Sequence, residues 1–566
     1  MKLFTFLLLF STALFSQNQY PRDYFRSPLD IPLQVSGSFG ELRSNHFHSG
    51  LDFKTQQREG LNVYAAADGY VSRIKISTWG YGKAIYITHP NGYTTVYGHL
   101  QKASPAIEEY IKKKQYAQKS FEVEMFPTAK EFVIKKGDII AFSGNSGGSG
   151  APHLHFEFRD TKTEKIINPL FFGFDAEIAD TKKPTITGLI AYPVGDSAVV
   201  NQLSNPSMVS LSLQKDGSYL ASKVVAMGKI GFGINAYDMS NGSFNKNGVY
   251  KVETFLNGNS YFEYQFEKFA FDEGRYINAL IDYPRYKKMD QRFQKLFMKT
   301  PYNFSAIKTK AENGIINVEP NLTMNYRIEV SDFNGNKTIV NVPIQYEQQE
   351  VAARKEQKTT PYFVKAKNDH NYKKDNVSVF LPANTFYEDL YLDFDVNDGV
   401  LHLQDTNTAV HSMLTISFDE PSLPESERLK TFIASVQGKK IGYNSTSRKG
   451  NMLSTRTRNL GDFKLAKDTI APKISAVNFS EGKWLSNQKN IILEISDSLT
   501  GIGDYNGYLN GKWILFEYDY KTKRIVHDFA DNIVTDGKNE LKVIVTDNVG
   551  NSTTFETHFF RTAPTQ

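Results

Sequence analysis

Four histidines and one aspartate in the first third of the chain have types and spacings that could do chemistry. His48-Ser49-Gly50-Leu51-Asp52 sets an imidazole and a carboxylate four residues apart. His153-Leu154-His155 sets two imidazoles two apart in an alternating apolar stretch. On a strand both would share one face, with Leu154 and Phe156 turned to the core. His99 ends a segment that reads as the far strand of a hairpin. Zinc is commonly held by nitrogen and oxygen ligands in tetrahedral geometry, and catalytic sites supply three protein ligands and keep a fourth position for water. His48, Asp52 and one member of the HxH pair make such a set. The other imidazole would lie beside the metal without binding it, placed to take a proton from water. His46 also lies near Asp52, but the HxxxD spacing favours His48. His89, next to Pro90, reads as a strand-end or turn residue.

These side chains need rigid elements. Lys83–His89 and Thr94–His99 alternate on either side of Pro90-Asn91-Gly92-Tyr93, and Asn-Gly between alternating runs is a strong hairpin signal. Further strands are expected at 69–76, 139–143 and 153–159. Ala103 to Lys119 is rich in Glu, Lys, Ala and Gln and predicts a short helix inserted in a mainly antiparallel β domain. The run Ser143-Gly144-Asn145-Ser146-Gly147-Gly148-Ser149-Gly150 lacks the Gly-Lys-Ser/Thr ending of a phosphate loop. It reads as a place where backbone approaches the groove just before His153.

Beyond Asp180 the texture changes and a repeat emerges. Asp180-Thr181-Lys182-Lys183-Pro184 is echoed by Asp468-Thr469-Ile470-Ala471-Pro472, and Leu256-Asn257-Gly258 by Leu509-Asn510-Gly511. Asp332-Phe333-Asn334-Gly335-Asn336 is echoed by Asp547-Asn548-Val549-Gly550-Asn551. Short strands and turn signals suit two related immunoglobulin-like β modules. The Asp-rich closures lack the twelve-residue loop of a calcium hand and read as turns. A further β-rich module of unassigned family follows a charged, Gln-rich linker, Glu347 to Thr360. The expected organisation is a leader at 1–16, a β domain at 17–178, and β modules at 179–348, 349–466 and 467–566. The fold class is mainly β: an N-terminal antiparallel β domain with a helical insertion, then about three β-sandwich-like modules.

Composition narrows the function classes. The 566 residues hold 66 basic and 61 acidic side chains, too even a balance for a nucleic-acid binder. Aromatics reach 13%, mostly Tyr and Phe, which favours strands. With no cysteine there is no disulfide, thiolate nucleophile or Cys-based metal site. Lys2, the apolar stretch Leu3–Phe15 and Ser16 resemble a secretory signal peptide, too short to cross a bilayer. The mature chain is therefore expected to be exported, to periplasm, cell envelope or exterior, without a transmembrane anchor. The five histidines beyond Asp180 (His370, His402, His411, His527 and His558) show no ligand spacing.

Asn45-His46-Phe47-His48-Ser49-Gly50-Leu51-Asp52-Phe53, Ala66-Ala67-Asp68-Gly69-Tyr70-Val71, Gly80-Tyr81-Gly82 and His89-Pro90-Asn91-Gly92-Tyr93 follow one another in order. Val96-Tyr97-Gly98-His99-Leu100, Lys136-Gly137-Asp138 and Gly150-Ala151-Pro152-His153-Leu154-His155-Phe156-Glu157 complete the series. Together they resemble the lysostaphin-type zinc endopeptidases, which cut peptidoglycan cross-links, over roughly residues 36 to 172. The resemblance implies a compact antiparallel β fold whose groove holds one Zn2+ per chain on His48, Asp52 and His155. It implies His153 as general base and His99 as stabiliser of the oxyanion-like transition state. Two departures stand out: the stretch from His99 to Lys136 is longer than in compact relatives and is expected to cap the groove and narrow substrate choice, and no extended prosegment is expected between the leader and the domain.

The expected function is an exported zinc metalloendopeptidase acting on peptidoglycan stem or cross-link peptides, its C-terminal modules positioning it or docking protein partners. Two alternatives differ in class: a non-catalytic activator or scaffold of another wall hydrolase, or an adhesin-like binding protein.

Overall fold

The alternating run around His153 forms the long strand His153–Asp160 at the middle of an antiparallel sheet. The computed structural model describes residues 20–562 apart from 321–322, 352–357 and 532, so the leader expected at 1–16 lies outside the described residues. Across this sheet the order is Val35–Gly37, Leu51–Lys54, His153–Asp160, Tyr93–Gly98, Lys83–Thr88, Gly69–Ile76, Val123–Met125. The Asn-Gly hairpin forms as expected, with Thr88 opposite Thr94 and Gly92 at φ 85°. Leu154, Phe156 and Phe158 are fully buried on one face, so the intervening residues of that strand share the other.

The insertion contains the helix Pro105–Gln118, with Pro105 in its first turn. Pro fits there because its missing N–H would have had no intrahelical partner. Ile107, Ile111 and Gln115 fall at spacings of four and bury one face. Lys119, in the left-handed region, ends the helix with its N–H on the Gln115 and Tyr116 carbonyls. The outer face serves another part of the chain. Lys112 pairs with Asp531, and Tyr116 donates to Asp531 Oδ2 at 2.6 Å. The insertion thus forms a platform for the C-terminal module.

The β domain and the first β module share one continuous core. Phe47 stacks on Phe304 at 4.8 Å and packs against Phe266 and Phe269, while Phe39 meets Phe269 at 5.1 Å. Backbone pairing crosses the same boundary, where Ile166–Ile167 runs antiparallel to Lys268–Phe269. Farther along, two five-stranded sheets enclose a separate core built on Val379, Leu401, Ile416 and Phe463. Two four-stranded sheets then enclose a third around Leu493, Leu509, Val543 and Phe559.

The repeated motifs make matching contacts. Asn336 Nδ2 donates to Asp332 at 2.6 Å and to the Asp180 carbonyl at 3.2 Å. Asn551 Nδ2 does the same to Asp547 at 2.6 Å and the Asp468 carbonyl at 3.1 Å. Thr338 and Thr553 each donate to the carbonyl of the module's opening proline, Pro184 and Pro472. Among the described residues no helix is long and apolar enough to cross a membrane.

Candidate metal centre

Strand register places the first pair of candidate ligands. Leu51–Lys54 runs antiparallel beside His153–Asp160 with Asp52 opposite His155. His48 enters from the turn just before that strand. A Cβ on Gly50 would sit 2.3 Å from the Phe156 carbonyl oxygen, so only glycine lets this turn lie flat on the sheet.

Three ligand atoms converge. His48 Nε2 lies 3.1 Å from Asp52 Oδ1, His155 Nδ1 lies 2.9 Å from the same oxygen, and the two nitrogens are 3.1 Å apart. The outer ring nitrogens are already committed. His48 Nδ1 donates to the Ser38 carbonyl at 2.9 Å, and His155 Nε2 donates to Glu157 Oε1 at 2.8 Å. Each ring therefore presents its other nitrogen to the cluster. One proton can bridge only one of the three contacts, whereas a cation among them satisfies all three. Two imidazoles and a carboxylate fit zinc, and the Glu157 contact is the usual outer support of a zinc-binding histidine.

The electrostatics favour a positive charge here. Burial opposes ionisation of Asp52, but His48, His153 and His155 outweigh it and hold the carboxyl well below its usual range. Burial likewise disfavours an imidazolium at His155, yet Asp52 and Glu157 on either side raise it to about 9. Glu157 is buried too, and Arg159 and His155 keep it ionised far below the usual carboxylate range. Arg159 grips Glu157 Oε2 through Nε at 2.8 Å and Nη2 at 2.7 Å, while Ser49 and Tyr81 donate to Oε1. The second oxygen of Asp52 accepts from Arg43 at 3.0 Å.

His153 and His99 face the cluster from its open side. Both use Nδ1 on a backbone carbonyl at 2.8 Å, His153 on Ala151 and His99 on Ser146, which leaves both Nε2 atoms directed away from those anchors. His153 Nε2 is 3.4 Å from Asp52 Oδ1, and the His99 and His153 ring centroids are 4.7 Å apart. Burial, then His155 and His153, push His99 down to about 3. Its backbone sits at φ 58°, an uncommon conformation for a non-glycine residue. The glycine-rich run supports both rings. Gly147, at φ 68°, packs against Gly82 so tightly that a Cβ would come 2.3 Å from the Gly82 nitrogen.

The five residues singled out in the sequence (His48, Asp52, His99, His153 and His155) thus meet in one place. His46 does not join them: it is exposed and bonds its ring to the Ser44 carbonyl. His89 is a buried structural residue, Nδ1 on the Asp68 carbonyl and Nε2 on Thr95, both at 2.8 Å. Glu157, Arg159, Ser49, Tyr81 and Arg43 were not foreseen as parts of the site. For Glu157 and Arg159 the signal was available, since charged residues alternating with Phe156 and Phe158 in a central strand must have partners. The C-terminal module also reaches the rim: Lys521 Nζ donates to the Asn145 and Ser149 carbonyls, and Tyr520 packs at a tilt against Trp79, ring centroids 3.7 Å apart.

Residues 46–121 match the model of Peptidase family M23. The N-terminal domain of this chain is a Peptidase family M23 domain. The match to the M23 family model spans His48, Asp52 and His99, and the HxH pair lies beyond its end. A metalloprotease of Haemophilus influenzae, otherwise uncharacterised, is 32% identical over 155 residues, 26% of this chain and 27% of that protein. The DD-carboxypeptidase/endopeptidase Mpg of Neisseria meningitidis is 32% identical over 131 residues, 22% of this chain and 24% of its own length. The peptidoglycan DD-endopeptidase ShyC of Vibrio cholerae is 29% identical over 141 residues, 24% of this chain and 26% of its own. The chain therefore spans about a quarter of each relative, a length that fits the M23 domain alone. Residues 361–468 match a Zu5-like domain, which supplies a family for the module that had none from sequence.

Proposed function

We propose that this protein is an exported zinc endopeptidase that hydrolyses peptide bonds in the cross-links of bacterial peptidoglycan. The observation that carries the reading is the convergence of His48 Nε2, Asp52 Oδ1 and His155 Nδ1, each within 3.1 Å of the others, below two further imidazoles. The named activities of the Neisseria and Vibrio relatives support the substrate class and a location at the cell envelope. Zinc on these three residues would supply a Lewis acid that lowers the pKa of a water from 15.7 to about 7 and polarises the scissile carbonyl.

The chain's own residues do the rest. His153 Nε2, with Nδ1 anchored on Ala151, is free to take the proton of the attacking water and return it to the leaving amine nitrogen. His99 is neutral in the resting site with its one N–H on the Ser146 carbonyl, so its Nε2 must take a proton from solvent before it can donate to the developing oxyanion. Glu157 and Arg159 fix the orientation of His155 and cancel each other's charge. The Zu5-like and C-terminal modules would position the enzyme on its substrate or dock partners.

Zymography on purified peptidoglycan with wild type, His153→Ala and His155→Ala, beside zinc quantification, tests the reading. Cleared zones from wild type alone are expected, with zinc near one per chain. Equal clearing by all three proteins would overturn it.

A further inference from the structure

Two groups of three aspartates outside the histidine cluster each bring carboxylate oxygens within 4.8 Å of one another: Asp180, Asp238 and Asp332, and Asp468, Asp497 and Asp547. They occupy corresponding places in the two repeated modules. The first group stands apart because an unsatisfied amide oxygen lies beside its unsatisfied carboxylate. Asp238, 9% exposed, has a buried Oδ1 with no hydrogen-bond partner, and so has Asn247, 5% exposed. These two residues exchange both backbone N–H···O bonds, at 2.9 and 2.8 Å. Their side chains therefore leave the same face of the strand pair. Both line one cavity of about 60 Å³ together with Asp180 and Asp332.

Charge balance points the same way. Among the described residues, none of the three carboxylates is paired with a Lys, Arg or His. Lys182, two residues from Asp180, spends its Nζ on the Ser240 carbonyl at 3.2 Å. Burial and the neighbouring Asp180 and Asp332 push Asp238 up to about 7. Burial raises Asp180 and Asp332 as well. Three acidic groups held together against their own repulsion, beside an orphaned amide oxygen, lack a counter-charge. Carboxylate and amide oxygens without any nitrogen ligand suit a hard cation, and the irregular arrangement suits Ca2+ better than octahedral Mg2+.

We propose that Asp180, Asp238, Asp332 and the side-chain oxygen of Asn247 form a calcium site at the junction of the M23 domain and the first β module. The site would tie together three distant segments: the chain leaving the peptidase, the end of strand Val224–Tyr237 and the turn after Thr323–Ser331. It also adjoins the zinc ligands through one short path. Gly248, next to Asn247, donates its N–H to Ser38 Oγ at 3.0 Å, and the Ser38 carbonyl holds His48 Nδ1. In the C-terminal group Asp497 Oδ1 also lacks a partner, but Asp497 is only half-buried and its other oxygen is fully used. Asp497 Oδ2 accepts three backbone N–H groups, and Asp468 Oδ2 accepts the Thr500 hydroxyl. They serve as the internal comparison.

The test is thermal unfolding of the full chain at pH 7.5, zinc-loaded, in calcium-free buffer and with 1 mM CaCl2 or MgCl2, beside equilibrium dialysis with radioactive calcium. Wild type should gain several degrees in Tm with calcium, little with magnesium, and bind calcium by dialysis. Asp238→Asn relieves the repulsion, so its calcium-free Tm should equal or exceed that of wild type while the calcium-induced gain disappears. A wild-type Tm indifferent to calcium would overturn the proposal. So would a gain that survives Asp238→Asn, or one that is lost only in Asp497→Asn.

Discussion

Asp52 stands opposite His155 on neighbouring antiparallel strands, with its Oδ1 2.9 Å from His155 Nδ1. Sheet register thus brings together two candidate ligands that are far apart along the chain. The face of His155 away from Asp52 meets Glu157, two residues along the same strand.

Glu157→Gln keeps the shape of that contact and removes its charge, leaving Arg159 with Glu164 as its remaining ionic partner. Zinc affinity, measured by competition with a chromogenic chelator, should fall by about 10- to 100-fold. Activity at saturating zinc should fall much less. Unchanged affinity would mean that Glu157 does not support the ligand.

His153→Ala removes the proposed base while leaving His48, Asp52 and His155 intact. Bound zinc should remain near one per chain, and kcat on a defined cross-linked muropeptide should fall by roughly 10²- to 10⁴-fold. KM should change little. Loss of the metal instead would make His153 a ligand.

His89 supplies a pH prediction away from the metal. Burial lowers its pKa from 6.5 to about 4 in the folded protein. Above pH 6.5 both folded and unfolded states carry it neutral, and its contribution is complete. As pH falls from 6.5 to 4 the unfolded chain binds the proton first, so stability is lost, by up to roughly 3 kcal/mol. In His89→Gln the decline in denaturation midpoint between pH 7 and pH 4.5 should be shallower than in wild type. Parallel slopes would show that His89 titrates normally.

Gly147→Ala places a methyl group against the backbone of Gly80 and Gly82, in a left-handed conformation that disfavours alanine. The strain is worth about 1–3 kcal/mol, and relief requires moving Ser146, whose carbonyl anchors His99. A lower kcat with zinc binding unchanged is expected. Full activity and stability would show that the loop has slack.

The sequence made the hairpin, the inserted helix and the five histidine-cluster residues legible because each depends on local pattern: Asn-Gly between alternating runs, a polar Ala- and Glu-rich stretch, HxxxD and HxH. It did not reveal what depends on distant chain. The alternation of Glu157 and Arg159 with Phe156 and Phe158 implies that they have partners, but not that Arg159 would close on Glu157 behind His155. Lys521 comes to the groove loop from a module near the other end of the chain, and no spacing rule connects it to Ser149. The aspartates of the repeat read as turn formers, and Asp332 and Asp547 do fold their Asn partners back upon them. Their meeting with Asp238 and Asp497 required the sheets to close.

The packing of Phe39 and Phe47 against Phe266, Phe269 and Phe304 bears on how this protein could be dissected. Severing the chain after residue 178 would strand these rings in water, each forfeiting about 1.5–3 kcal/mol. The smallest portion that keeps this core covered is therefore the M23 domain with its neighbouring module.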